Sequence, residues 1–381
     1  MHGIRRRLRS LSVGAIAALG PGLLAALVSM AGISPARAHA GGHAFPAADA
    51  QATSPDKDKD VPAAPPEPPP PQFKLEKVSE HVWCLFGTGG NVGILANDAG
   101  VLVVDDQYEN VAPGIVEQIK SVSDKPIRWL VNTHYHGDHT GGNPVFKPLT
   151  EIVAHDTVRP RLLDYPRVVV DTFPSRMQAI HAQVMTLSDE KDAYRDALMH
   201  DLDLMKFLFD LSQAFDPAKA APPGITYKDS LTLWLGDQPV EIAHYAPGHT
   251  DGDSIVYFPK EKVVHMGDLL FNGMVPFIDT LGGGSARGYL TNMNKVLDRL
   301  PADTRVIAGH GPVTDVAGLR HARDFLRDMQ SEVTKAIQRG LSREQAARTI
   351  KLTAYTDVKP AFRSVANDVL AFYDEMRSKK K

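Results

Sequence analysis

The chain of 381 residues contains a single cysteine, Cys84. An internal disulfide is therefore excluded, and stability must come from a packed core. Cys84 lies in the strand-like run HVWCLF and reads as a small buried apolar residue. A phosphate loop is lacking too, because the glycine-rich stretch LGGGSARG at 281–288 has no Gly-Lys-Ser/Thr pattern. No internal repeat of fixed short period occurs. Excess positive charge is also missing. Residues 1–38 hold five arginines and no acids, so the remainder carries 37 basic against 45 acidic side chains, a formal charge of −8. A net negative surface disfavours nucleic acid and anionic membrane as partners and leaves a small-molecule substrate.

At the N-terminus, Arg5, Arg6, Arg7 and Arg9 precede a small apolar stretch from about Val13 to Ile33. SPARAHA follows, offering cleavage after Ala38 or Ala40. This is the layout of a secretory signal peptide over 1–38, and it predicts a periplasmic protein. The consecutive arginines leave the general and the twin-arginine routes both open. Gly20-Pro21-Gly22 interrupts the apolar stretch, which makes it a poor spanning helix. Residues 39–72 are Ala, Pro, Asp and Lys in the main and end in PPEPPPPQ. Such a composition predicts a disordered, proline-rich linker. The folded unit is expected over 73–381.

Within it, HVWCLFGT, NVGILAND, GVLVVDDQ and IRWLVNTH read as strands separated by turn signals, with helical spacing over 109–122. EIVAH predicts another strand, followed by a short helix near 157–163. Residues 175–216 show helical periodicity and predict a helical insertion, which would serve as a lid if it covers a pocket. SLTLWLG, PVEIAHYAPG, SIVYFP and VVHMGD return to the strand pattern. A helix is expected over 286–300, and 315–378 should be mostly helical. Two similar successions of strands and helices point to an α/β layered architecture.

The chemistry gathers in VNTHYHGDHTGGN at 131–143, where His134, His136, Asp138 and His139 follow a continuously apolar run. Polar residues at a strand's exit face a cleft without burying charge in the core. Neutral imidazole and carboxylate are the ligands that zinc and similar divalent metals prefer. Three more candidates stand at the ends of apolar runs beside glycine: His249 in PGHTDGD, Asp268 in VVHMGD and His310 in VIAGHGP. Seven such residues make two sets of three, with one carboxylate left to bridge.

The sequence resembles the metallo-β-lactamase-fold superfamily of metallohydrolases. THYHGDH matches the signature motif, and PGHT, GD and GHG match the later metal motifs in order, across 73 to about 315. The resemblance implies an αββα four-layer sandwich with its site at one edge of the two sheets. It assigns His134, His136 and His249 to one metal, and Asp138, His139 and His310 to a second, with Asp268 bridging. It implies two zinc ions (Zn2+), other divalent metals including iron being compatible. The expected activity is hydrolysis of an ester, lactone, amide or β-lactam bond by a metal-activated hydroxide, with Asp138 as the catalytic residue that orients the water or shuttles its proton.

Departures from the family pattern narrow the expectation. The enzymes that name the superfamily often carry cysteine where Asp268 stands, and quorum-signal lactonases place tyrosine where Phe271 stands. Glutathione thioesters are cytosolic substrates, which fits an exported protein badly. An iron-dependent sulfur dioxygenase of the same fold stays open as an alternative, as does a non-catalytic periplasmic metal-binding protein. Neither the substrate nor the oligomeric state is legible in the sequence.

Overall fold

The computed structural model describes residues 72–378 apart from Glu190 and Ala214. The expected signal peptide and nearly all of the expected linker lie outside the described residues. A seven-stranded sheet comes first, its strands neighbouring one another in chain order. They are β1 (Lys74–Lys77), β2 (Val82–Phe86), β3 (Val92–Asn97), β4 (Gly100–Val104), β5 (Ile127–Val131), β6 (Glu151–His155) and β7 (Ile225–Tyr227). β1 to β4 pair antiparallel, and β4 to β7 parallel. Helix α1 (Ala112–Val122) makes the crossover from β4 to β5. Every residue of β4 is buried, as the apolar run GVLVV requires of a strand covered on both faces.

Two short helices, α2 (Gly137–Thr140) and α3 (Asn143–Phe146), follow β5, and the long pair α4 (Val158–Val184) and α5 (Ala193–Gln213) follows β6. The second sheet has six strands: β8 (Ser230–Leu235), β9 (Gln238–Ala243), β10 (Ile255–Phe258), β11 (Val263–His265), β12 (Arg305–Ile307) and β13 (Thr314–Asp315). Its edge strand β8 alternates exposed with less exposed residues and turns into β9 through Gly236-Asp237, where Gly236 takes φ +65°. Helix α6 (Ala286–Leu297) precedes β12, and α7 (Val316–Gln338), α8 (Arg343–Thr349) and α9 (Val365–Arg377) close the fold.

Three packed layers of side chains hold the four layers of backbone together. Val82, Leu102 and Val131 of the first sheet meet Val240, Val256 and Ile307 of the second, and Cys84 is buried among them. Burial pushes the Cys84 thiol far above its ordinary range, which leaves it an inert apolar filler. On the outer face of the first sheet, Ile115 and Ile119 of α1 pack against Ile94, Val103 and Leu130. On the outer face of the second, α6, α7 and α9 bury Met293, Met329 and Val369 against Val264 and Val306. The architecture is the expected αββα sandwich.

The structure departs from the sequence expectation at three elements. The short helix expected near 157–163 instead runs unbroken from Val158 to Val184, on into the helical stretch expected over 175–216, with Pro166 and Pro174 inside it. Burial of Val169 and Phe173 against Tyr135, Ala154 and Met205 offsets much of the roughly 3 kcal/mol that an internal proline costs. β1 and β7 carried no clear strand signal, since KLEK is charged and ITY is three residues long. Both lie at the edges of the sheet, where pairing with a single neighbour suffices.

Candidate metal centre

β5, β11 and β12 all end at one edge of the sandwich, and the loop between β9 and β10 joins them there. His134 follows β5. His136 precedes α2, and the single helical turn of α2 carries Asp138 and His139. His249 lies in the β9–β10 loop, Asp268 in a 3-10 turn over Gly267–Leu269, and His310 just past β12. All seven sequence-predicted residues converge. One group is His134, His136, His249 and Asp268, and the other is Asp138, His139 and His310. Within each group the ligand atoms lie no more than 4.8 Å apart.

Asp268 stands between the groups. Its Oδ1 is 3.1 Å from His139 Nε2, and its Oδ2 is 3.4 Å from His249 Nε2, 3.5 Å from His310 Nε2 and 3.8 Å from His134 Nε2. His136 Nδ1 and His249 Nε2 come within 2.9 Å, and Asp138 Oδ2 lies 3.1 Å from His310 Nε2. His134 Nε2 is buried and makes no hydrogen bond. A buried polar atom without a partner costs about 1–3 kcal/mol, so a cation among these donors relieves a real penalty.

The electrostatics agree with that fit. Burial holds the His134 imidazole well below its ordinary pKa and brings His249 down to about 4, so both stay neutral and keep a lone pair. Burial by itself would raise Asp138 and Asp268, but His139 and His310 hold both carboxyls well below the usual range. In return, and against their own burial, the carboxylates raise His139 and bring His310 to about 9. His139 and His310 thus supply the positive charge that the two carboxylates need, and divalent cations bound there would take that part over as the histidines give up their protons.

The backs of the histidines are held by groups that sequence reasoning missed. Asp105, at the exit of β4, accepts from His139 Nδ1 at 2.8 Å. Asp279 Oδ2 accepts from His136 Nε2 at 3.0 Å and from the Tyr135 hydroxyl at 2.5 Å. The Phe277 carbonyl takes the Nδ1 proton of His249 at 2.5 Å. Such partners fix the tautomer so that the opposite nitrogen faces the metal. The signal for Asp105 was the acidic pair at the end of GVLVVDDQ, and for Asp279 an acid two residues before LGGGSARG.

Other histidines and tyrosines near the ligand motifs have quieter roles. His265 is buried; it donates from Nε2 to the Asn91 carbonyl and accepts the Gly267 N–H at Nδ1, which shapes the turn bearing Asp268. His155 stacks on His244 with ring centroids 4.0 Å apart. The Tyr245 hydroxyl meets Arg299. The 281–288 loop borders the centre: a side chain at Gly284 would meet the His249 carbonyl at 2.3 Å.

Two sheets between helices, with clustered His and Asp side chains at one edge that could hold metal ions, define a class of metal-binding fold. The chain belongs to the metallo-beta-lactamase superfamily, whose family model matches residues 85–310. Among curated proteins it is 23% identical over 270 residues to a linear primary-alkylsulfatase from Pseudomonas sp., covering 66% of this chain and 48% of that one. It is 28% identical to a probable metallo-hydrolase from Bacillus subtilis, covering 62% and 94%, and 20% identical to a type 2 metallo-beta-lactamase from Elizabethkingia meningoseptica, covering 69% and 88%. Among solved structures, a stereoselective inverting sec-alkylsulfatase from Pseudomonas sp. shares the fold with TM-score 0.57 and 15% identity, covering 80% of this chain and 50% of that one. The chain therefore spans about half the length of the alkylsulfatases it matches.

Proposed function

We propose that the protein is an exported dinuclear zinc hydrolase that cleaves an acyl bond: an ester, lactone, amide or β-lactam. The convergence of six further donor residues around Asp268 carries this reading. His134, His136 and His249 would hold one cation, Asp138, His139 and His310 the other, and Asp268 would serve both. Bound there, two divalent cations would lower the pKa of water from about 15.7 toward about 7 and polarise the carbonyl oxygen whose carbon is attacked.

The chain's own groups do the rest. Asp138, at the rim and kept ionised by His139 and His310, accepts the proton of the attacking water at its carboxylate. His134, His249 and Asp268, all buried, keep bulk water from the inner side of the centre. Phe271 offers no hydroxyl to a developing oxyanion, and the Tyr289 hydroxyl is committed to the Asp268 carbonyl at 2.5 Å. Neither position therefore offers a hydroxyl to the substrate oxygen, whose charge the bound cations would stabilise. A sulfate ester is the second reading, favoured by the likeness to a linear primary-alkylsulfatase over two thirds of the chain.

The deciding experiment is metal analysis by mass spectrometry on the purified protein, joined to turnover of lactones, aryl esters, thioesters, β-lactams and alkyl sulfates. Two zinc ions per chain with carboxyl-ester or lactam hydrolysis supports the first reading, and turnover of alkyl sulfates alone moves it to the second. A single iron with oxygen uptake on a persulfide replaces both with the dioxygenase. Tight metal binding without turnover on any substrate leaves a metal-binding protein.

A further inference from the structure

The exposure of the seven donors shows from which side the centre is reached. His134, His139, His249 and Asp268 form a buried floor. The side chains of Asp138, His136 and His310 keep 20%, 16% and 12% of their surface and make the rim. Aromatic rings lean on both histidines of that rim. Phe277 stacks on His136 with centroids 5.7 Å apart and planes 15° apart. Phe271 stacks on His310 at 5.1 Å, and Phe362 meets the same His310 ring at 5.0 Å.

Phe362 differs from the other two in where it comes from and how it sits. It belongs to the segment between α8 and α9, some fifty residues after His310, and it remains 43% exposed. The segment is tied down on both sides of the ring. Lys359 exchanges backbone hydrogen bonds with Gly273 and Val275 at 3.0 and 2.9 Å. Arg363 lays its guanidinium 4.6 Å from the centre of the Phe277 ring and pairs with Asp201 of α5. A scattered exposed phenylalanine needs no explanation. One anchored against a metal-centre histidine at the open rim keeps apolar surface in water where a substrate must pass.

We infer that Phe362, beside Phe277 and backed by the buried ring of Phe271, forms an apolar subsite at the mouth of the centre, selecting substrates with a linear alkyl or aryl acyl group next to the cleaved bond. The inference rests on the hydrolase reading for its substrate class, but the subsite itself is a binding property. A bound alkyl or aryl group covers the exposed face of Phe362, and that burial favours long substrates over short ones. Phe362 is a specificity residue: it touches the part of the substrate that does not react.

The test uses the full-length, metal-loaded protein with two parallel series. p-Nitrophenyl esters from acetate to octanoate report turnover, and the free carboxylates from acetate to octanoate, with benzoate, report binding by calorimetry. Wild type should prefer the octanoyl member in both series. Phe362→Ala should lower kcat/KM for the octanoate ester about tenfold, chiefly through KM, and change the acetate ester by less than about twofold. Phe362→Leu should keep the preference and Phe362→Gln, of similar size, should lose it, a pattern that loosening of the segment alone does not produce. Equal losses at both ends of the series, or no loss at either, overturns the subsite. Ester turnover with unchanged carboxylate selectivity in Phe362→Ala refutes the subsite and spares the hydrolase reading. Lost carboxylate selectivity without ester turnover in wild type does the reverse.

Discussion

Asp105 accepts the Nδ1 proton of His139 at 2.8 Å, with both side chains wholly buried. The same carboxylate receives the backbone N–H and the hydroxyl of Thr133 at 2.7 and 2.8 Å. Asp105 does this from a left-handed backbone at φ +63°, a conformation that costs about 1–3 kcal/mol unless the surroundings impose it. Three hydrogen bonds to one carboxylate are what impose it here, and the strain is spent on aiming a metal-centre histidine.

Asp105→Asn keeps the shape and tolerates the left-handed backbone, but it removes the charge that makes His139 Nε2 a strong donor. Metal affinity at the Asp138, His139 and His310 group should fall about 10- to 100-fold. Chelator competition on the loaded protein measures this. An unchanged dissociation constant would show that His139 needs no help from behind.

Asp279 supports His136 in the same way, and its bonds can be ranked. Oδ2 takes His136 Nε2 and the Tyr135 hydroxyl, while Oδ1 takes the N–H groups of Leu281 and Gly282 at 3.1 and 2.8 Å. Burial alone would raise this carboxyl, yet the bond from His136 and those beside it hold it at about 2. Tyr135→Phe removes one of these bonds and should cost about 1 kcal/mol of stability with metal content intact. Asp279→Asn disturbs the charge-assisted bond itself and should lower metal content per chain after dialysis. Equal metal loss in the two variants would place the effect on Tyr135 packing instead.

The donor set was legible because its members stand at the ends of apolar runs in glycine-containing motifs, a local pattern that survives without knowledge of the third dimension. Asp105 and Asp279 also end apolar runs but have no adjoining glycine and pass for turn caps, because a carboxylate after a strand commonly caps a turn. Only the fold shows that their acceptors face His139 and His136. Phe362 had no local signal at all: it reaches His310 because α7, α8 and α9 fold back across the second sheet. The length of α4 was not legible locally, since Pro166 and Pro174 disfavour a continuous helix and burial of Val169 and Phe173 overrides that cost.

Far from the centre, Glu261 joins the first sheet's edge to the second sheet. It accepts from Ser79 Oγ at 2.6 Å, His81 N at 3.1 Å, His81 Nδ1 at 2.8 Å and Gln238 Nε2 at 3.2 Å, with little of its side chain exposed. Burial alone would raise this carboxyl, but the bonds from Ser79 and His81 hold it below its ordinary value of 4.5. A carboxyl lowered on folding stabilises the native state above its unfolded value, and that contribution fades as pH falls from 4.5 through the folded value. Glu261→Gln should therefore melt lower than wild type near pH 7, by about 1–3 kcal/mol, and the gap should close on acidification below pH 4.5. A gap independent of pH would mean that packing, not the ionised carboxylate, is what the variant loses.

Gly309 is where the smallest addition should do the most harm to the centre. A Cβ there would lie 2.0 Å from Asp268 Oδ1 and 2.6 Å from the Gly267 carbonyl carbon. The backbone cannot retreat cheaply, because Gly309 N–H bonds to the Gly267 and Leu270 carbonyls while its own carbonyl takes Asn91 N–H at 2.7 Å. In Gly309→Ala the carboxylate of Asp268 must swing away, and Asp268 is the residue that both ligand groups share. Hydrolysis should be lost and metal content reduced, even in protein that still melts cooperatively. Gly137→Ala is the matched control, since nothing lies within 4 Å of a Cβ placed at Gly137 although it sits between His136 and Asp138. That variant should retain metal and activity, and should gain about 0.4–1 kcal/mol from a stiffer unfolded chain. If both variants lose metal alike, the harm comes from altered loop conformation, and the close approach of Gly309 to Asp268 is not what the centre depends on.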